Sequence, residues 1–242
     1  MSNTKIEWTE RTWNPVTGCS PISLGCDNCY AKTMAKRLKS MGVVKYKNEF
    51  KVTTHQNTIE EPLHWKKNSM IFVCSMSDLF HDSVDFDFID RIMHVIQKTP
   101  QHTYQILTKR PKRMATYFKN REVLPNVWLG TTIEHYIYKN RLNLLKDIKA
   151  RVRFISFEPL LSNMSELNLK EIDWIIVGGE SGPKARPMKK EWVLSLKNKA
   201  KESHIAFFFK QWGTWGEDGK RRSKKKNGSE LDGIEIKEFP NK

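Results

Sequence analysis

The sequence has no apolar run long enough to cross a bilayer; its longest, Ile205-Ala206-Phe207-Phe208-Phe209, is strand-sized, and an integral membrane protein is not expected. It is also short of acid. The 27 Asp plus Glu stand against 42 Lys plus Arg, a formal charge of +15, and an excess of that size points to a polyanionic partner, nucleic acid first. A merely solubilising surface is the alternative, but the basic residues recur in clusters instead of alternating with acids. There is no phosphate-binding loop, no His-Glu-x-x-His and no Gly-x-Ser-x-Gly, which leaves kinase and hydrolase readings without their usual residues. The first residues, Met-Ser-Asn-Thr-Lys-Ile-Glu-Trp, lack a charged segment followed by an apolar run. A cytoplasmic, reducing setting is therefore expected, in which disulfides are rare.

Cysteine is scarce too, and three of the four lie in one stretch. Trp13 to Ala31 contains Cys19, Cys26 and Cys29 at the spacing C-x6-C-x2-C, with Gly18 and Gly25 each directly before a cysteine. Glycines there let a backbone fold tightly around something the sulfurs share. Disulfide pairing would leave one of the three unpaired, and a structural zinc site usually takes four protein ligands. Three thiolates leave one position open. In a cubic iron–sulfur cluster that vacancy would expose one iron to an outside ligand. Iron–sulfur cluster, zinc and unligated thiols all stay open on spacing alone.

The 242 residues, 38% of them hydrophobic, suffice for one sizeable barrel or two small domains. After a short strand near residues 12–16 and the cysteine loop, helical spacing runs over 31–41. A rhythm then begins: strands at 70–75, 103–107, 126–129, 151–157, 174–177 and 205–209 alternate with helices at 86–98, 112–120, 137–149, a short irregular one at 162–169, and 190–201. This alternation predicts a parallel sheet. The position after the first strand, where a doubly wound fold carries its phosphate-binding glycines, holds cysteines. The expected fold is thus α/β: a complete or partial (β/α) TIM-type barrel of about six to seven parallel strands, with the cysteine loop after the first. The barrel would take residues 1–213, and a basic Gly/Lys-rich extension 214–242, with Lys220 to Lys226 as a flexible basic loop.

Each apolar run ends in polar residues: Ser77-Asp78, Thr108-Lys109-Arg110, Thr131-Thr132-Ile133-Glu134, Glu158, Glu180-Ser181 and Lys210-Gln211. In β/α barrels these carboxyl ends form the active-site face. Lys109, Arg110 and Lys210 could receive a carboxylate or a phosphate there. Glu158 could act in the site or form a salt bridge in the barrel mouth, and Cys74 reads first as a buried core residue within its strand.

Cys26-Asp27-Asn28-Cys29-Tyr30-Ala31 after an upstream cysteine resembles the cluster loop of radical S-adenosylmethionine enzymes. The whole chain resembles, more closely, a phage-associated three-cysteine-motif family of unknown function that is radical-SAM-like. The residues carrying this are Trp13-Asn14-Pro15, the cysteine loop, Ser75 to His81, Leu107 to Pro111, Gly130-Thr131-Thr132, Phe157 to Leu160, Gly178 to Gly182 and Lys210 to Gly213. The first cysteine spacing is six residues where radical SAM proteins have three, and Asn28 replaces the aromatic that commonly precedes the last cysteine. The resemblance implies an enzyme with a 4Fe–4S cluster on Cys19, Cys26 and Cys29, whose open iron takes S-adenosylmethionine for reductive cleavage to a 5′-deoxyadenosyl radical. It implies a reductant such as flavodoxin or ferredoxin, a nucleic acid or nucleotide substrate, and room for a partner protein encoded nearby. Tyr30, Asp78, Thr131, Glu134, Gly178, Gly179 and Glu180 become cofactor-binding candidates, although Asp78 and Glu134 could equally cap helices and Tyr30 could pack on helix 31–41. Lys109, Lys210 and Glu158 become catalytic candidates, with Cys74 as a hydrogen-atom donor. A non-catalytic, metal-stabilised nucleic-acid-binding or partner-binding protein is the alternative.

Overall fold

The computed structural model describes residues 4–241. In chain order its elements are β1 (Arg11–Trp13), β2 (Val16–Thr17), α1 (Tyr30–Ser40), β3 (Thr53–Thr54), β4 (Met70–Val73), α2 (Phe86–Lys98), β5 (Thr103–Thr108), α3 (Pro111–Phe118), β6 (Val127–Thr132), α4 (Asn140–Lys146), β7 (Val152–Phe157), β8 (Trp174–Gly178), α5 (Lys190–Glu202), β9 (Ala206–Gln211), α6 (Lys224–Asn227), β10 (Glu230–Leu231) and β11 (Ile234–Glu235). Seven strands form one sheet in the order β1-β4-β5-β6-β7-β8-β9. Strands adjacent in that order follow one another in sequence, apart from the short excursion through β2 and β3, as in a partial β/α barrel, and the expected class holds. The chain divides into two compact units: Met1–Ile22, Cys29–Gly130 and Asp147–Arg151; and Ser23–Asn28, Thr131–Lys146 and Val152–Lys242.

In the first unit β1, β4 and β5 pair in parallel, Trp13 opposite Val73 and Val73 opposite Ile106. The Met-Ile-Phe-Val run of β4 suits a strand covered on both sides. Helix α2 buries Phe88, Ile89, Ile92, Val95 and Ile96 along one stripe, the helical period that the sequence displays. Beyond β4 the backbone turns, and Gly18 makes a parallel bridge with Ser77. Gly18 has φ +81°, and a Cβ there would lie 2.3 Å from the Lys51 carbonyl oxygen, so no larger residue fits this start of the cysteine loop.

In the second unit β7, β8 and β9 pair in parallel, with an irregularity between Val177 and Gly178. All five residues of β8 are buried. The outer edge of β9 is covered by the C-terminal segment: Phe209 N–H donates to Ile236 O (2.8 Å), Glu238 N–H to Phe207 O (3.2 Å), and Phe208 and Lys237 form an antiparallel bridge. Such a cover removes the free edge that an unclosed barrel leaves.

Two expected elements differ. No helix forms over 162–169: Asn163 Oδ1 accepts locally from Ser165 N–H, a side-chain turn of the kind that competes with helix, and Ser162 Oγ is engaged by Tyr136 N–H from outside the segment. The helix expected at 137–149 is a 3-10 turn, Tyr136–Tyr138, followed by the short α4. The Lys146 carbonyl, where α4 stops, accepts from Arg153 Nη1 at 3.0 Å. Among the described residues no helix is long and apolar enough to cross a membrane.

Candidate functional site

In the first unit the polar ends of β4 and β5 converge on Asp78, which is buried. Its Oδ1 accepts from Phe80 N–H (3.0 Å) and Thr108 Oγ1 (2.7 Å), and its Oδ2 from Lys109 N–H (3.0 Å) and Arg110 Nη1 (3.4 Å). Four donors fill a carboxylate's four acceptor positions. Thus oriented, Arg110 reaches the cysteine loop: Nη2 donates to Ser20 O (3.1 Å) and Ser20 Oγ (3.0 Å), and Nη1 lies 3.6 Å from Cys19 Sγ.

His81 completes this group. Its Nδ1 accepts from Ser83 N–H (3.1 Å), so the proton is on Nε2, which donates to Ser20 Oγ at 2.7 Å. Burial, then the Arg110 charge, lowers the His81 pKa and keeps the ring neutral. Nearby, Tyr30 heads α1 directly after Cys29; its ring is exposed and its hydroxyl donates to Ser75 O (2.5 Å). Its hydroxyl thus ties the start of α1 to the turn after β4. Cys74 lies one residue beyond β4, not within it, with φ +61° and 2% exposure. Burial pushes its thiol up to about 12, so the S–H bond persists at neutral pH. Lys109 is half-buried.

In the second unit, Glu134 is fully buried just past β6, and its Oε1 accepts from Gly25 N–H of the cysteine loop (3.2 Å). Its Oε2 accepts from Arg141 Nη1 (2.9 Å), which also donates to Thr132 O (2.8 Å). Thr131, on β6, is buried. Tyr138 hydroxyl accepts from Leu24 N–H at 3.0 Å. Glu180, past β8, grips Arg186: Arg186 Nη2 donates to Oε1 (2.7 Å), and its N–H and Nε donate to Oε2 (2.8 and 3.0 Å). Burial opposes ionisation of Glu180, but the Arg186 bonds outweigh it and hold the carboxyl below its ordinary range. Arg186 in turn donates to Leu24 O (2.9 Å) and meets Asp27 Oδ2 (3.2 Å), while Asn28 Nδ2 donates to Lys184 O (3.0 Å). Cys26 Sγ lies 3.6 Å from Ser23 Oγ.

Also in this unit, Lys210 Nζ donates to Glu158 Oε1 at 2.6 Å, with Gln211 Nε2 at 3.5 Å from the same oxygen. Glu158 therefore has the salt bridge that was one of its two expected roles. Gly178 faces this carboxylate, where a Cβ would be 3.4 Å from it. Gly179 serves packing: a Cβ would stand 1.9 Å from the Trp212 carbonyl oxygen, and its N–H donates to Gln211 O (2.9 Å).

None of the four cysteines is in a disulfide. Among the described residues, no three His, Cys, Asp or Glu side chains form a group able to hold a metal ion. Cys19, Cys26 and Cys29 are each half-buried, and thiolates are the soft donors that suit an iron–sulfur cluster, as they also suit zinc. Sequence reasoning missed Ser20, Tyr138, Arg141 and Arg186. Arg141 and Glu134 are joined across a 3-10 turn and not along one continuous helix, and Arg186 lies in an irregular loop between Ala185 and Pro187. Their signal was only that basic residues lie near strand-end acids.

No curated protein matches the chain. Among solved structures, spore photoproduct lyase complexed with dinucleoside spore photoproduct is similar over 84% of this chain and 64% of the lyase, at 12% identity and a TM-score of 0.47. A mutant of that lyase with bound AdoMet and dinucleoside spore photoproduct gives the same coverage, 13% identity and a TM-score of 0.43. The chain thus spans less than two thirds of the lyase's length. A family model described as "Protein of unknown function (DUF5131)" matches residues 3–240, and the chain belongs to that family.

Proposed function

We propose that the protein is a radical S-adenosylmethionine enzyme acting on a nucleic acid or nucleotide, with Cys19, Cys26 and Cys29 as ligands of a 4Fe–4S cluster. The observation that carries the reading is the direction of the strand-end polar groups. In the first unit Arg110 and His81 end on Ser20 beside Cys19; in the second, Glu134 and Arg186 end on Leu24 to Asp27 around Cys26. A purely structural metal needs ligands, but it does not need buried ion pairs aimed at the residues between them.

When bound, the cluster supplies one-electron cleavage of the sulfonium. The chain's own residues do the rest. Asp78 fixes Arg110, and Arg110 sets the position and charge environment of Cys19. Glu134 and Arg186 fix the backbone at Leu24 and Gly25 before Cys26, and Arg186 holds the Asp27 carboxylate after it. Gly178, Gly179 and Thr131 keep the strand ends close-packed and dry. Lys109 receives an anionic group of cofactor or substrate, and the Lys210–Glu158 pair orients substrate from β9 and β7. Cys74, kept protonated by burial, retains the hydrogen that a donor would give.

The test is anaerobic purification with iron and sulfide analysis, then electron paramagnetic resonance of the reduced protein without and with S-adenosylmethionine. A cubic-cluster signal that changes on adding the cofactor and is lost in Cys19→Ala, Cys26→Ala and Cys29→Ala is expected. Zinc without iron would overturn the reading.

A further inference from the structure

The segment Lys220 to Lys226 carries six cations in seven residues. Expected as a flexible loop, it is instead built into the second unit. Gly216 N–H donates to Lys220 O (2.9 Å), Arg222 N–H donates to Thr214 O (2.9 Å), and Trp215 pairs with Arg221 in an antiparallel bridge. Arg222 closes the turn on Asp218 through two bonds, of 2.8 and 2.5 Å. Ser223 Oγ accepts from Lys226 N–H and caps the single turn of α6. Arg222 is thus consumed inside the turn, whereas Lys220, Lys225 and Lys226 are exposed. Among the described residues no ion pair joins those three to a carboxylate.

The back of this turn is fastened to the loop that carries Glu180 and Arg186. Thr214 N–H donates to Glu180 O (2.9 Å), and Gly182 N–H to Thr214 Oγ1 (2.9 Å). Trp215 Nε1 donates to Ala185 O (2.7 Å), and Arg221 donates to Pro183 O. That same loop holds the cysteine loop through Arg186 and the Lys184 carbonyl. A ligand bound by the cationic face therefore rests on the support that holds Leu24 to Asn28.

We infer that the Lys220–Lys226 turn docks the phosphate backbone of a polymeric nucleic acid, so that the substrate of the proposed reaction is a nucleic acid strand and not a free nucleotide. This rests on the functional reading for the word substrate, but the docking itself does not need it. Fixed cations projecting from a braced turn neutralise successive phosphates, and each phosphate contact adds about 0.7 to the salt slope of single-strand binding.

The experiment is fluorescence anisotropy of a labelled single-stranded 12-mer DNA with the full chain, across 0.05–0.5 M salt. The variant Lys220→Ala/Lys225→Ala/Lys226→Ala is expected to lower the salt slope by about 2 and to weaken binding roughly a hundredfold at 0.1 M salt. A control that removes the same charge elsewhere, Lys98→Ala/Lys119→Ala/Lys149→Ala, should lose no more than a few-fold. Equal losses in the two variants, an unchanged slope, or a mononucleotide that competes as well as unlabelled 12-mer would each overturn the inference. The assay needs neither iron nor S-adenosylmethionine, so a slope lost in the first variant supports docking even if metal analysis defeats the radical reading.

Discussion

In the first unit an arginine holds the cysteine loop and a carboxylate holds the arginine; around Gly25, in the second, a carboxylate holds the loop and an arginine holds the carboxylate. The difference follows from what the loop presents. At Cys19-Ser20 it offers acceptors, the Ser20 carbonyl and hydroxyl and the Cys19 sulfur, and Arg110 meets all three. At Gly25 it offers an N–H, and Glu134 takes it. One residue earlier the Leu24 carbonyl is an acceptor again, and there a cation, Arg186, returns. Each buried charge keeps an opposite partner, because an unpaired one would cost several kcal/mol. The protein thus selects the sign of the contacting group by the polarity of the backbone to be held, and supplies the other sign behind it.

Removing the carboxylate in each unit, the rear partner in the first and the contacting group in the second, would break that comparison most severely. Asp78→Ala leaves Arg110, whose side chain is only 7% exposed, with the exposed Asp82 carboxylate 4.0 Å from Nε in place of its buried partner, and about 3–5 kcal/mol of stability should be lost. Glu134→Ala leaves Arg141 with the Thr132 carbonyl and the Tyr138 ring face, so its cost should lie near the lower end, about 3 kcal/mol. Urea unfolding gives the energies, and hydrogen exchange the location: 18–20 should open in Asp78→Ala and 23–28 in Glu134→Ala. A loss under about 1 kcal/mol for Asp78→Ala would show that Arg110 is solvated and that no buried pair exists.

How much of this arrangement could be read in advance divides along the same lines. The alternation of apolar runs displayed the sheet and its order, because a parallel strand buried on both faces must be continuously apolar, as Trp174–Gly178 is. The strand-end acids Asp78, Glu134 and Glu180 were visible as polar stops after such runs. What each binds was not visible. Helix capping was one expected role for Asp78 and Glu134, yet Asp78 gathers donors from β5 and the residues after it, and Glu134 takes a donor 109 residues away in sequence. Local spacing carries no trace of such contacts. The tail escaped for a related reason: Lys220 to Lys226 has the composition of a solvated loop, and only the Asp218–Arg222 pair and the Trp215 indole reveal a braced turn.

A smaller effect should separate the units by pH. In the first unit, burial lowers the pKa of His55, His81 and His102, with Lys45 adding to the effect at His55, which falls to about 4. A histidine depressed in the folded state binds its proton more readily when unfolded. Its contribution is present above the unfolded pKa near 6.5 and declines as pH falls from there towards the folded value. For His55, allowing for the partial exposure of its ring, the loss is on the order of 1–2 kcal/mol. In the second unit the depressed group at the cysteine loop is Glu180, a carboxylate whose contribution is lost only below its unfolded pKa near 4.5. Hydrogen exchange between pH 6.5 and 5 should therefore rise in peptides around 53–58, 78–84 and 99–104 while those around 180–186 stay protected. Parallel loss in both sets would remove the distinction.

The smallest expected effect tests whether the arginine that returns at Leu24 matters for its geometry or only for its charge. Arg186 is about one-third exposed, so Arg186→Lys should cost only about 1 kcal/mol overall. Its consequence should be local. A lysine keeps the positive charge beside Glu180 but cannot present several donors in a fixed plane, so it cannot meet Glu180, Asp27 and the Leu24 carbonyl together. Exchange at 24–28 should rise about tenfold in Arg186→Lys, and little further in Arg186→Ala, because both lose the fork. If Arg186→Lys instead keeps full protection there, charge alone holds the segment, and the rule that backbone polarity selects the contacting group would stand at Ser20 and Gly25 but not at Leu24.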